Sequence, residues 1–230
     1  MKYLLWDIDG TLLLTNYAGV NALKHSIKSI YGIDNFQFTH GLAGRTDTYI
    51  AKEAIEEIKG KTSPAEVTAL LSCYTGNLPK FMGIKQGHLL PNVKTVLEAV
   101  EQRPDISSLL LTGNCVKAAQ AKLDFFSISQ YFDFNLSAFG EISELREELA
   151  KVAWQNLQKQ NKALHKEDVI VIGDTPHDIT CAAAIGVRSL IVTTGSSYSQ
   201  EELSTYNPWK IIPQLPTNSE EFLSIIFSEA

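Results

Sequence analysis

Hydrophobic positions along the chain follow two periods. Short runs rich in leucine or β-branched residues stand at Lys2–Trp6, 108–112, 134–138, Val169–Gly173 and 189–193. Runs of this length read as strands, and the helical patterns between the later ones predict a parallel sheet covered by helices on both faces. The expected fold class is α/β with a Rossmann-like core. Leu145, Leu149, Val152, Ala153 and Leu157 make a helical stripe before the 169–173 run. Ile179, Ala182 and Ala183 make another after it, with Pro176 near its start and Gly186 just past its end, the usual asymmetry of helix termini.

Residues 15–86 break the alternation. Val20, Leu23, Ile27 and Ile30 form one apolar stripe at helical spacing, and Ile50, Ala54, Ile55 and Ile58 form a second. A third begins at Ser63, Pro64 and Glu66, a cap residue, a first-turn proline and a capping-box acid, and continues through Val67, Leu70, Leu71, Tyr74 and Leu78. This pattern predicts an all-helical cap, residues 15–86, inserted into a core formed by 1–14 and 87–230.

Composition narrows the class of protein. With 230 residues, 44% of them hydrophobic and 20% charged, the chain can bury an ample core without disulfides. Its three cysteines, Cys73, Cys115 and Cys181, have neither the spacing of a disulfide framework nor that of a zinc site, and read as reduced thiols. The opening apolar run is interrupted by Asp7 and Asp9, and no other run approaches the roughly 20 residues of a membrane helix. A soluble cytoplasmic protein is expected, monomer or homodimer being left open. A net charge of -6 argues against nucleic acid as the main partner, since phosphate backbones demand a basic face.

The candidate chemistry lies where strands end. The first run leads into Asp7-Ile8-Asp9-Gly10-Thr11, and the 169–173 run into Asp174-Thr175-Pro176-His177-Asp178. Open parallel sheets bind ligands at the carboxyl edge of their strands. Four acids crowded there would repel one another unless a cation neutralised them, and hard oxygen donors suit Mg2+. Helix capping accounts for Asp174 or Asp178 taken singly, but not for the whole set. The 108–112 run ends in Leu110-Leu111-Thr112-Gly113-Asn114, a hydroxyl and backbone N–H groups ahead of a helix, which is an anion site. A second Thr-Gly-Asn, at residues 75–77, follows no strand and reads as a decoy. His40, His88 and His177 are not assigned as ligands, because magnesium rarely selects imidazole. Trp6, Tyr49 and Trp154 read as packing residues.

Taken together, these motifs resemble those of the haloacid dehalogenase superfamily: DxDGT first, a Ser or Thr after a strand second, a Lys or Arg third and GDxxxD fourth. The LLTGN form of the second motif and Gly44-Arg45-Thr46-Asp47 in the cap are similar to the phosphoglycolate phosphatase-like group. The resemblance implies that Asp7 is the nucleophile and Asp9 the general acid and base. It places Mg2+ on Asp7, on Asp174 and on the backbone carbonyl of Asp9, with Asp178 supporting the site through water or a basic partner. Gly10, Thr112, Gly113 and Asn114 would surround the phosphoryl group of a small phosphorylated metabolite. No Lys-Pro stands where the third motif is commonest, so Arg146 is preferred as its cation over Lys151. Arg45 reads either as a substrate-facing cap residue or as a solvated arginine. A sugar-phosphate mutase of the β-phosphoglucomutase kind is the alternative, and a catalytically silent binding or regulatory protein a further one. The cap is expected to open about hinges near residues 13–15 and 84–87.

Overall fold

The computed structural model describes residues 1–228. In chain order the elements are β1 (Lys2–Trp6), β2 (Leu13–Leu14), α1 (Ala18–Tyr31), α2 (Asp47–Lys59), α3 (Pro64–Lys85), β3 (His88–Leu89), α4 (Val93–Glu101), β4 (Ile106–Leu110), α5 (Val116–Phe125), α6 (Arg146–Gln160), β5 (Val169–Gly173), α7 (Pro176–Ile185), β6 (Arg188–Val192), α8 (Gln200–Ser204), β7 (Lys210–Ile212) and α9 (Ser219–Phe227). Five strands make one parallel sheet in the order β4-β1-β5-β6-β7.

Successive side chains of a strand point to opposite faces, and here both faces are covered. Leu4 and Trp6 of β1, with Ile170 and Ile172 of β5, join a cluster with α4, α5 and α9. Tyr3 and Leu5, with Val169 and Val171, pack instead on α6 and α7. The Trp6 ring stacks on Phe222 of α9 with centroids 5.8 Å apart. Every residue of β5 is buried, which explains why it reads as a continuous apolar run rather than an alternating one.

The helices α1, α2 and α3 bury their stripes against one another, with Ala22, Ile27, Ile55, Leu70, Leu78 and Met82 at the centre. Ser63 caps α3 as its sequence indicates, its hydroxyl accepting from the Glu66 N–H. The Thr75-Gly76-Asn77 copy lies inside α3, where its backbone N–H groups are spent on the helix. This cap cluster continues into Cys115 and Ala118 of the core. The two chain connections between cap and core lie side by side, since β2 pairs antiparallel with β3, Leu13 opposite Leu89 and Leu14 opposite His88.

Two differences from the sequence pattern have separate causes, one local and one tertiary. Residues 134–138 do not form a strand; only Ala138 bridges to Leu111. Asp133 accepts the Asn135 N–H, and the Ser137 hydroxyl donates to the Asp133 carbonyl while accepting the Leu110 N–H. Polar side chains thus take backbone partners that a neighbouring strand would have supplied, and the run turns. The edge strand β7 and the helix α4 carry no polar start signal, whereas Asn218 caps α9. They belong to the fold through burial of Val93, Val96, Val100, Phe222 and Ile226 against the sheet. The three cysteines are free thiols, and no helix among the described residues is long and apolar enough to cross a membrane.

Ser137→Ala should destabilise the fold by about 1–3 kcal/mol, because the buried Leu110 N–H loses its acceptor. Urea unfolding followed by circular dichroism checks this; an unchanged midpoint would show that another group takes the N–H.

Candidate active site

Strand order, not sequence order, assembles the site. β1 lies between β4 and β5, and Trp6 stands in register with Leu110 on one side and Ile172 on the other. The residues just past these ends, Asp7, Thr112 and Asp174, therefore emerge side by side at the carboxyl edge of the sheet. The Asp7 N–H donates to the Ile172 carbonyl at 2.9 Å, which pins the start of the first loop.

Asp7, Asp174 and Asp178 are buried and offer carboxylate oxygens that all lie within 4.8 Å of one another. One guanidinium faces this cluster. Arg146, itself buried at the first position of α6, places Nη2 2.6 Å from Asp178 Oδ1 and Nη1 3.4 Å from Asp7 Oδ2. Its Nη2 also donates to the Leu111 carbonyl. Lys151, the competing cation, is an exposed residue paired with Glu148, so it does not reach the cluster.

Asp178 is already engaged. Its Oδ2 accepts from the N–H groups of Asp174 and Thr175 and from the Thr175 hydroxyl, and its Oδ1 accepts from Arg146. With four donors on roughly four lone-pair sites, it acts as the brace of the turn and the partner of the guanidinium. Asp7 and Asp174 are the carboxylates left to hold an ion directly. The Thr11 hydroxyl donates to Asp174 Oδ1 at 2.9 Å and fixes its rotamer.

Two glycines make this packing possible. Gly10 has φ +85°, and a Cβ built on it would lie 2.3 Å from Asp174 Oδ2. A Cβ on Gly173 would lie 2.1 Å from the Asp178 carboxyl carbon. Any other residue at either place would drive the acids out of position.

The electrostatics match the crowding. Burial raises the Asp7 carboxyl to about 6; the charges of Asp178 and Asp9 add to this, while Arg146 and a hydrogen bond from Thr112 oppose it. Burial, then the neighbouring charges of Asp178 and Asp7, push Asp174 well above the usual carboxylate range. Three carboxylates against one guanidinium leave negative charge uncompensated. An all-oxygen, anionic cluster of this kind fits a hard divalent cation.

Thr112 is fully buried, its hydroxyl bonded to Asp7 and accepting from Asn114. Asp9 and Gly10 line a cavity of about 440 Å³ with Asp7, Gly113, Asn114 and Asp174. Asp9 Oδ2 accepts from Asn114 Nδ2 at 2.8 Å and from Lys122 Nζ at 2.6 Å. Lys122 carries no motif. It sits on the buried face of α5 among Ala118, Ala119 and Leu123, where helical spacing predicts an apolar residue. A lysine on such a face was the available signal. Burial works against its charge, but Asp9, Asp47 and Asp7 outweigh it and hold the ammonium above its usual range.

The cap closes the cavity from above with Val20, Leu23, Leu42, Ile50 and Tyr74. Arg45 also lines it, stacked on the Tyr49 ring at 4.6 Å. Asp47 anchors this side: its N–H donates to the Gly113 carbonyl at 2.7 Å and its carboxylate accepts the Cys115 N–H at 2.8 Å. Burial raises the Asp47 carboxyl above its usual range. His177 is near Gly44 but does not line the cavity, and His40 and His88 are exposed.

Comparison with known proteins agrees with this geometry. Residues 4–192 match the family model of haloacid dehalogenase-like hydrolases. A curated relative, the pyrophosphatase PpaX of Halalkalibacterium halodurans, is 24% identical over 194 residues, covering 82% of this chain and 81% of that protein. Among solved structures, a haloacid dehalogenase hydrolase of family IA, variant 3, from Entamoeba histolytica superposes with a TM-score of 0.73 at 19% identity, covering 99% of this chain and all of that one. A putative β-phosphoglucomutase from Bacteroides vulgatus gives 0.71 at 15% identity, covering 100% and 91%. With the acid-bearing strand ends adjacent and the family model spanning both them and the cap, the chain belongs to the haloacid dehalogenase-like hydrolases.

Proposed function

We propose that the protein is a Mg2+-dependent phosphatase that hydrolyses a small phosphate monoester through an aspartyl-phosphate on Asp7. The observation that carries this reading is the approach of Asp7 to Asp174 across two adjacent strands, with Arg146 beside both Asp7 and Asp178. Asp7, Asp174 and the backbone carbonyl of Asp9 would hold the metal, which supplies positive charge against the phosphoryl oxygens and keeps both carboxylates ionised. Asp178 contributes by fixing Arg146 and the Asp174 turn.

In the first step a carboxylate oxygen of Asp7 attacks phosphorus, and the bond from phosphorus to the ester oxygen breaks. Asp9 gives its proton to the departing alkoxide. In the second step water attacks the phosphorus of the aspartyl-phosphate while Asp9 takes a proton from it, releasing inorganic phosphate and restoring Asp7. Charge develops on the equatorial oxygens throughout. In this reading Arg146, Thr112 and the Gly113 N–H would meet it, and preorganised groups of this kind supply much of phosphoryl-transfer catalysis.

Arg45 belongs to the same end of the cavity. Its carbonyl packs so closely on Gly113 that a Cβ there would lie 2.1 Å from it, and its charge acts on His177 within the fourth motif. We assign Arg45 to the transferring phosphoryl group. The leaving group then faces Val20, Leu23, Leu42, Ile50 and Tyr74, together with the acid Asp47. An apolar wall and a carboxylate favour an alcohol with an apolar ring or chain over a second phosphate or a carboxylate.

Two outcomes are expected. Removing the metal with a chelator should abolish release of p-nitrophenol and phosphate from p-nitrophenyl phosphate, and added Mg2+ should restore it. Asp7→Asn should lower that activity by at least about a thousandfold, since the covalent step is lost. Transfer of phosphate between sugar hydroxyls without net release would instead identify a mutase.

Across a substrate panel, kcat/KM for monoesters of apolar or aromatic alcohols should exceed that for phosphoglycolate and pyrophosphate by about 10- to 100-fold, the worth of burying one apolar group. A preference for pyrophosphate would refute the assignment of the cap wall.

A further inference from the structure

Lys122 is the feature the reaction scheme above does not use. Its side chain is only 5% exposed, and its ammonium donates to Asp9 Oδ2 at 2.6 Å and to Asn114 Oδ1. Asn114 in turn donates through Nδ2 to the same Asp9 oxygen at 2.8 Å and to the Thr112 hydroxyl at 2.9 Å. Lysine, asparagine and aspartate thus close a triangle. Two donors converge on Oδ2 of Asp9, and Oδ1 has no hydrogen-bond partner among the described residues. The Asp9 side chain is 41% exposed and lines the cavity.

A lysine is costly on the buried face of α5. Its neighbours Ala118, Ala119 and Leu123 are apolar, and a leucine or methionine would fill the site without the desolvation penalty of an ion. The groups facing the ammonium are Asp9 from the first loop, Asn114 from the second, and the charges of Asp47 from α2 and Asp7 from the end of β1. Of these, Asp9 and Asn114 receive the direct hydrogen bonds. The buried charge is therefore aimed at the residue assigned to move the proton.

We propose that Lys122 is a positioning residue for proton transfer: with Asn114 it occupies Oδ2 of Asp9, so that the transferable proton resides on Oδ1, the oxygen left to meet the leaving group. This rests on the phosphatase reading and extends it to a residue outside the four motifs. The proton given to the ester oxygen leaves from Oδ1, and the proton taken from water returns to it. Oδ2 remains bonded to the ammonium and the amide throughout. General acids contribute roughly 10²- to 10⁴-fold, and a donor misplaced by an ångström forfeits about 10²-fold of rate.

The test uses leaving-group dependence. kcat/KM reports steps up to formation of the aspartyl-phosphate, in which an alkoxide needs a proton and p-nitrophenolate hardly does. The full chain with Mg2+ is assayed on p-nitrophenyl phosphate and benzyl phosphate, as wild type, Lys122→Met, Lys122→Arg and Asp9→Asn. Lys122→Met should lose about 10- to 100-fold on benzyl phosphate and less than about 3-fold on p-nitrophenyl phosphate, following the pattern of Asp9→Asn. Lys122→Arg keeps a cation and a donor at a shifted position, so it should fall between wild type and Lys122→Met with the same selectivity.

Equal losses on the two esters, or none, in whichever lysine variant folds by circular dichroism, would overturn the proposal. A wild-type protein inactive on both esters, or Asp7→Asn retaining activity, would instead refute the phosphatase reading on which the proposal rests.

Discussion

Repulsion among Asp7, Asp174 and Asp178 is the constraint on which the rest of the structure depends. Three buried carboxylates within 4.8 Å of one another are tolerated because Arg146 stands among them and because Asp178 is saturated by donors from its own turn. The remaining charge falls on Asp7 and Asp174, whose carboxyls are both pushed upward. Such a site stores an affinity for positive charge. It discourages collapse onto an apolar side chain, and its all-oxygen donor set suits a hard divalent cation.

Fixing the acids so tightly limits what the surrounding backbone can be. Gly10 and Gly173 leave room for carboxylate groups where a Cβ would stand, and Pro176 opens α7 so that its first turn caps onto Asp178. These residues touch no substrate in the reaction scheme, yet each sets where an acid points. Preorganisation here is a matter of backbone shape as much as of charge.

The cap is tied to the core through the loops that border the acid cluster. Asp47 bridges to Gly113 and Cys115, Thr48 donates to the Gly140 carbonyl, and Lys52 pairs with Glu144 ahead of Arg146. Opposite them, the paired strands β2 and β3 carry both chain crossings. We propose that the cap swings about this ribbon, whose β2 falls within the expected hinge at 13–15 and whose β3 directly follows the one at 84–87, so that the polar contacts on the Asp47 side break and reform. Closure would then bring Arg45 and the apolar wall over the acids only when the second loop is in its bound shape, linking water exclusion to completion of the site.

The motif acids, Thr112 and the helical stripes of 15–86 were legible in the sequence because they depend on local facts: carboxylates and glycines directly after β-rich runs, and apolar spacing of a helix. Arg146 was separable from Lys151 only by its place in the chain, whereas the structure distinguishes them by burial against exposure. The run at 134–138 misled because the hydrogen bonds of Asp133 and Ser137 outweigh its β propensity. Lys122 left a single trace, a lysine on an apolar helix face, which gains meaning only once Asp9 and Asn114 are seen to meet it. By itself the sequence determined which chemical groups are present and at which strand ends they stand. Tertiary structure alone decided that β1 lies between β4 and β5, since strand pairing joins residues more than a hundred positions apart, and that adjacency turns separate motifs into one charged site.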